Sequence, residues 1–444
     1  MSLTIPQALQ PLLAQPVAIM GGGVSGVGVC ALLATLGAAS VIYDDKGIAF
    51  TEKLARSHRL VVFSPGFQLE HPWLALARAA GCECRGELDF SSTFWRGSIV
   101  AITGTNGKTT LTEFLTHALK ASGRRAYSTG NVGYSFAQLV AETEGGTEEC
   151  IAICEVSSFQ AETLQTFRAD ATIWTNFAED HLERHPGLES YFGAKWNLVT
   201  RTRESAGRRR SDTSRTELGR TPALFFGSSV QRYAVKFDRP LPMGSGVDTE
   251  NQPADEKLVS TVFTDYPQRE NFLLAAAWWR SGGLALDELY QAARTLTMGR
   301  HRLAKIAVKA GVTYWNDSKA TNFHAVEAAL TRFEQPVILL AGGKAKGGDL
   351  AGFVHRIAPR VKHAILIGET SAQLAFQFSA ARVGHTSCLI LDDAVSRAAE
   401  LAQTGDNVLL SPGFASFDMF RGYTDRGDQF EKLVRELAPT PSFL

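Results

Sequence analysis

An apolar run from Ser98 to Ile102 stops at the turn Gly104-Thr105-Asn106-Gly107, and Lys108, Thr109 and Thr110 follow at once. A buried strand that feeds a Gly-rich turn and then a helix brings backbone N–H groups and the positive end of the helix dipole to one point, a cradle for phosphate oxygens. Lys108 would meet the β- and γ-phosphates and Thr109 a Mg²⁺ ion. The general phosphate loop has its first glycine where this chain has Ile102; here the glycine comes two residues later. An incidental strand-to-helix turn would explain the two glycines but not the Lys-Thr-Thr. Such a turn commits the chain to an α/β fold, with strands ending on a shared ligand edge.

At 444 residues the chain exceeds one hydrophobic core and predicts about two to four domains. Lys plus Arg number 45 and Asp plus Glu 45, so no global field draws it to nucleic acid or an acidic membrane, and an anionic ligand must be held locally. No apolar run reaches the roughly 18 residues of a membrane span, and the N-terminus lacks a basic stretch followed by a long apolar one. We expect a cytoplasmic protein without membrane insertion. Six cysteines are too few and too irregularly placed for a disulfide framework. Cys150 and Cys154 lack the second ligand pair of a zinc site.

The chain reads as three segments. The first begins with the strand Val17 to Met20, the turn GGGVSGVG, a helical stretch Val29 to Leu36, and Ser40 to Tyr43 ending at Asp44 and Asp45. Gly21, Gly23 and Gly26 fit G-x-G-x-x-G, with the acidic pair about twenty residues on, where a ribose hydroxyl would be met. The fingerprint suits NAD, FAD or any diphosphate-linked nucleoside. A further strand, Leu60 to Phe63, leads into a loop with Pro65 and Gly66.

The second segment carries the phosphate loop, then Tyr127 to Thr129, the strand Cys150 to Val156, and the strand Ala171 to Trp174 ending in TNFAEDHLERH. From Arg201 to Arg220 seven arginines crowd among few apolar residues, which predicts an exposed loop; interspersed acids and the lack of aromatics argue against a nucleic-acid patch. After the helical stretch Asn271 to Arg280, the third segment opens at Met298. Its strands, Val312 to Trp315, Val337 to Ala341, His363 to Ile367 and Asn407 to Leu410, end in NDSKATN, GGKAKGGD, GET and SPGFASFD. Predicted boundaries are 1–92, 93–297 and 298–444. Glu155 and Asp180-His181 end strands of the sheet that carries the phosphate loop, which makes them candidate Mg²⁺ ligands.

The stretches GTNGKTT, EVSSFQAE, TNFAEDHLERH, GRHR, NDSKATN and SPGFASFDMFRGYTDRG, in this order between about Gly21 and Leu437, resemble the Mur ligases. The resemblance implies three α/β domains: an N-terminal Rossmann-like domain for a UDP-sugar, a central P-loop NTPase-like parallel sheet for ATP, and a C-terminal Rossmann-like domain completing the ATP and amino-acid sites. The implied activity is ATP-dependent amide ligation in peptidoglycan precursor synthesis, adding D-glutamate to UDP-N-acetylmuramoyl-L-alanine through an acyl phosphate. The alternative is a sister ligase adding L-glutamate or another amino acid to the same precursor. A folylpolyglutamate synthase would leave the uridine-type Gly loop unexplained, and an NAD-dependent dehydrogenase would leave the phosphate loop unexplained. A nucleotide-sugar-binding regulator without turnover would have little need of a phosphoryl-transfer site.

Carried over by resemblance, Gly104 to Thr110 would bind ATP, with Lys108 on the β/γ-phosphates. Thr109, Glu155, His181 and a carbamylated Lys195 would hold two Mg²⁺ ions. Asn271, Arg302, Asp317 and Lys319 would complete the ATP site. Val24, Ser25, Asp44, Gly66, Asn131 and Gln160 would contact the UDP-sugar, and Thr321, Lys346, Ser416 and Tyr423 the amino acid. The chain departs from the family at Glu270-Asn271-Phe272-Leu273-Leu274, where only Asn271 of the adenine-binding pattern remains, and at Tyr423, where many relatives carry Phe. A monomer is expected.

Overall fold

A computed structural model describes residues 3–131, 133–203 and 223–437; most of the arginine-rich stretch lies outside the described residues. Two compact units emerge, one of Met1–Phe177 with Glu189–Leu296, the other of Ala178–Leu188 with Thr297–Leu444.

The first unit holds two parallel sheets. Strands β1 (Val17–Met20), β2 (Ser40–Tyr43), β3 (Leu60–Phe63) and β4 (Glu83–Gly86) are ordered β2-β1-β3-β4. Strands β5 (Ser98–Thr103), β6 (Ala126–Gly130), β7 (Ile151–Glu155), β8 (Ala171–Trp174) and β9 (Leu224–Phe226) are ordered β6-β7-β5-β8-β9. The inner strands β1, β3 and β8 are buried along their whole length, as expected where helices cover both faces of a parallel sheet. One apolar core runs from Val17, Ile19 and Val62 through Leu32 and Leu33, then Phe136 and Val140, to Ala101 and Ala152. Gly28 permits that packing: a Cβ there would lie 2.1 Å from the Ser135 hydroxyl. Two buried carboxylates tie the sheets together. Asp89 accepts the N–H groups of Gln165, Thr166 and Phe167, and Glu87 that of Ala137 at 2.7 Å.

The second unit holds β10 (Ala304–Lys309), β11 (Val312–Asn316), β12 (Val337–Gly342), β13 (Val361–Ile367), β14 (His385–Ser387) and β15 (Asn407–Leu410) in the order β10-β11-β15-β12-β13-β14. Only β10 runs antiparallel, against β11. In each sheet the loops expected to carry function follow the carboxyl ends of strands.

Strands β8 and β15 have the bounds the sequence predicts. The helix after β1 starts earlier than its apolar periodicity, at Val24 rather than Val29, because its first turns carry glycines, which leave no apolar pattern although Gly26 and Gly28 are buried; a Cβ on Gly26 would sit 1.9 Å from the Gly21 carbonyl oxygen. The stretch after β7 forms the helix Ser158–Ala161 under a Ser157–Gln160 capping box. Beyond the arginine-rich stretch, β9 closes the edge of the central sheet.

Candidate active site

Strand β5 lies inside its sheet, between β7 and β8, and delivers the phosphate loop to the carboxyl edge. Gly104 and Gly107 have φ of 148° and 81°, conformations that side chains rarely adopt. Neither has room for one: a Cβ on Gly104 would meet the Thr175 hydroxyl at 1.9 Å, and on Gly107 the Asn271 amide at 2.5 Å. The loop is braced from β8. Thr175 Oγ1 donates to the Asn106 carbonyl (2.6 Å), and Asn176 Oδ1 accepts the Asn106 N–H (2.9 Å). Lys108, Thr109 and Thr110 open the helix Lys108–Ala121, so the dipole argument holds in the fold. The Lys108 ammonium donates to the carbonyls of Gly104 (3.0 Å) and Thr105 (2.9 Å), which keeps it over the loop.

Lys195, which sequence alone would leave as a surface lysine on its helix, is 1% exposed. Its Nζ donates to the Gly104 carbonyl at 3.0 Å and to Thr103 Oγ1 at 3.4 Å, and lies 4.9 Å from the Tyr191 ring centre. Glu155 ends β7 beside the loop. Its Oε1 accepts from Asn131 Nδ2 at 3.0 Å, whereas Oε2 is buried with no hydrogen-bond partner among the described residues. Burying a carboxylate oxygen without a donor is costly, and a hard cation is the partner that suits it. Thr109 opens the helix that follows the loop, and a hydroxyl and a carboxylate oxygen are donors that suit Mg²⁺.

Asn271 is buried against Gly107, and its Nδ2 donates to Gln268 Oε1 (2.9 Å). Leu274, where the adenine-binding pattern would have a polar residue, is wholly buried in the apolar core. Gln160 Oε1 accepts the Ser157 N–H. On the first sheet, Val24 and Ser25 open the helix after the Gly turn and Gly66 is exposed in the loop after β3. Asp44 accepts the N–H groups of Gly22 (2.8 Å) and Lys46 (3.1 Å). Those bonds, Gly22 first, lower its pKa, so it stays anionic where a ribose hydroxyl would come.

The second unit gathers His181, Arg302, Asp317, Lys319, Thr321, Lys346, Ser416 and Tyr423. Asp180, His181, Thr321, Asn322, Lys346 and Gly348 line one pocket, with Ser416 and Tyr423 outside that lining. Asp180 is its anchor: Oδ2 accepts from Asn322 Nδ2 at 3.1 Å, and Oδ1 lies 3.6 Å from the Lys346 ammonium. His181 has φ 55°, with Nδ1 3.1 Å from Glu183 Oε1. Asp317 accepts from the Leu303 N–H (3.0 Å) and Ser411 Oγ (2.8 Å), and burial pushes its carboxyl up to about 7. The Lys319 ammonium lies 5.3 Å from the Tyr423 ring centre. A residue not singled out in the sequence, Arg426, is fully buried and donates to the Ser318 carbonyl (2.9 Å) and hydroxyl (3.0 Å), fixing the turn that carries Lys319.

A phosphate loop backed by a buried carboxylate and lysine, with a charged pocket on a second α/β unit, describes a nucleotide-dependent ligase. Residues 102–209 match the Mur ligase middle domain, and residues 301–414 the Mur ligase glutamate ligase domain. The UDP-N-acetylmuramoylalanine–D-glutamate ligase of Alkaliphilus metalliredigens is 36% identical over 394 residues, covering 85% of this chain and 84% of the relative. That of Caldanaerobacter subterraneus is 33% identical over 450 residues, covering 94% and 98%. The chain belongs to the Mur ligase family. Among solved structures, the UDP-N-acetylmuramate–alanine ligase of Thermotoga maritima shares the fold at TM-score 0.57 and 14% identity over 95% of this chain and 99% of that one. The Mycobacterium tuberculosis folylpolyglutamate synthase, complexed with ADP, does so at TM-score 0.54 and 15% identity, over 79% and 93%. Among the described residues no helix is long and apolar enough to cross a membrane.

Proposed function

We propose that this chain is the ATP-dependent ligase that joins D-glutamate to UDP-N-acetylmuramoyl-L-alanine in peptidoglycan precursor synthesis. The observation that carries the phosphoryl-transfer part is the buried arrangement around Gly104, with Lys108 and Lys195 on its carbonyl and Glu155 Oε2 unpaired beside it. The L-alanyl carboxylate attacks the γ-phosphorus of ATP, giving ADP and an acyl phosphate. The amine of glutamate then adds to the acyl carbon, and the tetrahedral intermediate expels inorganic phosphate. Little covalent work falls to the protein, whose tasks are alignment and charge neutralisation.

In this reading Lys108 and the loop amides from Gly104 to Thr110 hold the phosphates, and Thr109 and Glu155 take one Mg²⁺. When bound, the metal neutralises charge on the transferring group. Lys195, as the carbamate formed when Nζ takes up CO₂ and loses a proton, takes a second ion with His181. Carbamylation would turn a buried cation into an oxygen ligand, the kind of donor a hard cation takes. Asn271, Arg302, Asp317 and Lys319 complete the nucleotide site. Val24, Ser25, Asp44, Gly66, Asn131 and Gln160 serve the UDP-sugar. Thr321, Lys346, Ser416 and Tyr423 serve the amino acid. The three sheets would correspond to domains 1–92, 93–297 and 298–444, acting in a cytoplasmic monomer.

The test is phosphate release by purified protein with ATP and UDP-N-acetylmuramoyl-L-alanine, comparing D-glutamate, L-glutamate and other amino acids. With ¹⁸O in the precursor's carboxylate, one labelled oxygen should appear in the phosphate; unlabelled phosphate refutes the acyl phosphate. A preference for L-glutamate would favour the sister activity.

A further inference from the structure

Arg302 sits between two residues in backbone conformations that side chains seldom take: His301 has φ 66° and Leu303 φ 48°. Such strain persists only where the surroundings over-determine it. The surroundings here are specific. The His301 ring is buried, and its Nδ1 lies 2.9 Å from Asn316 Nδ2. Asn316 Oδ1 accepts the Ser318 N–H at 3.1 Å, so its amide nitrogen faces the ring. Nε2 lies 3.3 Å from Asp428 Oδ1 and Nδ1 3.5 Å from Glu431 Oε1, and burial lowers the ring's pKa. Asn316 Nδ2 is also 3.0 Å from both the Gly427 carbonyl and Glu431 Oε1. Gly427, inside the helix Tyr423–Glu436, leaves the ring its space: a Cβ there would lie 2.3 Å from His301 Nδ1.

The backbone on either side of Arg302 is stitched to the loop after β11. The His301 carbonyl accepts the Lys319 N–H at 3.0 Å, and the Leu303 N–H donates to Asp317 Oδ1 at 3.0 Å. We propose that His301 is a positioning residue: its ring, wedged between Asn316 and Gly427, holds the 301–303 turn in register with Asp317 and Lys319 so that Arg302 and Lys319 face the nucleotide together. This rests on the assignment of Arg302, Asp317 and Lys319 to ATP. Sequence alone marks His301 only as part of GRHR; its partners come from β11 and a helix more than a hundred positions later.

The test uses the full chain and Mg²⁺–ATP, with binding measured by calorimetry and turnover by phosphate release. Gly427→Ala pushes the ring without touching a ligand, and alanine suits a helix interior. His301→Asn keeps a residue that tolerates left-handed backbone but removes the ring. Each should weaken ATP binding and raise its KM by about 10- to 100-fold, the scale of a misplacement near 1 Å, with the KM for the UDP-linked precursor unchanged. Because both act through one ring, the double variant should be no worse than the worse single one. Multiplying effects, or a lower Tm with an unaltered ATP KM, overturn the positioning role. Arg302→Ala separates this inference from the reading beneath it. If Arg302→Ala weakens ATP binding while Gly427→Ala does not, only the inference falls; if Arg302→Ala binds ATP normally, the nucleotide assignment falls and takes the inference with it.

Discussion

Lys346→Ala isolates the charge that the amino-acid pocket offers. The Lys346 ammonium lies 3.6 Å from Asp180 Oδ1, with the two side chains 19% and 7% exposed. At that distance and an effective dielectric of about 20 the attraction is about 4–5 kcal/mol, much of which offsets the desolvation of the pair. A substrate carboxylate meeting the same ammonium would make a charge-assisted bond with a net worth of about 3 kcal/mol. Removing the ammonium withdraws that bond and leaves the Asp180 carboxylate facing an anion. The KM for D-glutamate should therefore rise by about 10²-fold, while that for ATP changes little. Comparing D-glutamate with D-glutamine sharpens the test. The wild type should prefer the acid and the variant should lose that preference, because an amide does not feel the altered charge. Initial rates of phosphate release with each amino acid titrated give both numbers. An unchanged KM for glutamate, an equal rise for ATP, or an acid preference that survives the substitution would refute the placement of the pocket.

Lys195→Ala should abolish ligation, and bicarbonate or short-chain carboxylic acids should partly restore it; undiminished turnover would remove the lysine from the metal bridge. Gly104→Ala, with a Cβ 1.9 Å from the Thr175 hydroxyl at φ 148°, should abolish ATP binding measured by calorimetry while the circular dichroism of the fold persists. Glu270 gives a stability prediction with a definite sign. Burial first, then the neighbouring Glu250, raises its pKa from 4.5 to about 7, so between these values the folded state holds a proton that the unfolded chain has released, and stability falls as pH rises through that window. Glu270→Gln should match wild-type stability near pH 4.5 and exceed it by up to about 3 kcal/mol at pH 8 in urea unfolding; a gain independent of pH would contradict the burial argument.

What the sequence discloses and what it withholds divide along a physical line. The glycine turns were legible because each needs a residue without Cβ at a fixed offset from a strand end, and Gly104 and Gly107 occupy those conformations. Inner strands such as β8 and β15 were legible because burial on both faces demands an unbroken apolar run. The edge strands β4, β10 and β14 were not: ECRG, AKIAVK and HTS carry no such run, since an edge is paired on one side only and tolerates charge there. Lys195 and Asp180 show the same limit at the site. A lysine in a helical stretch reads as solvated until Tyr191 and the Gly104 carbonyl are seen to enclose it, and Asp180 reads as a candidate Mg²⁺ ligand until Asn322 and Lys346 are seen to engage it. His301 is the extreme case, because its ring is placed by an amide on β11 that is itself oriented by Ser318. Residue types near a turn thus announce which chemistry is available. The aim of the groups that carry it out is set by partners far along the chain, which is why Gly427, a residue that touches no substrate in this reading, is where altering a hydrogen atom to a methyl group should be felt by ATP.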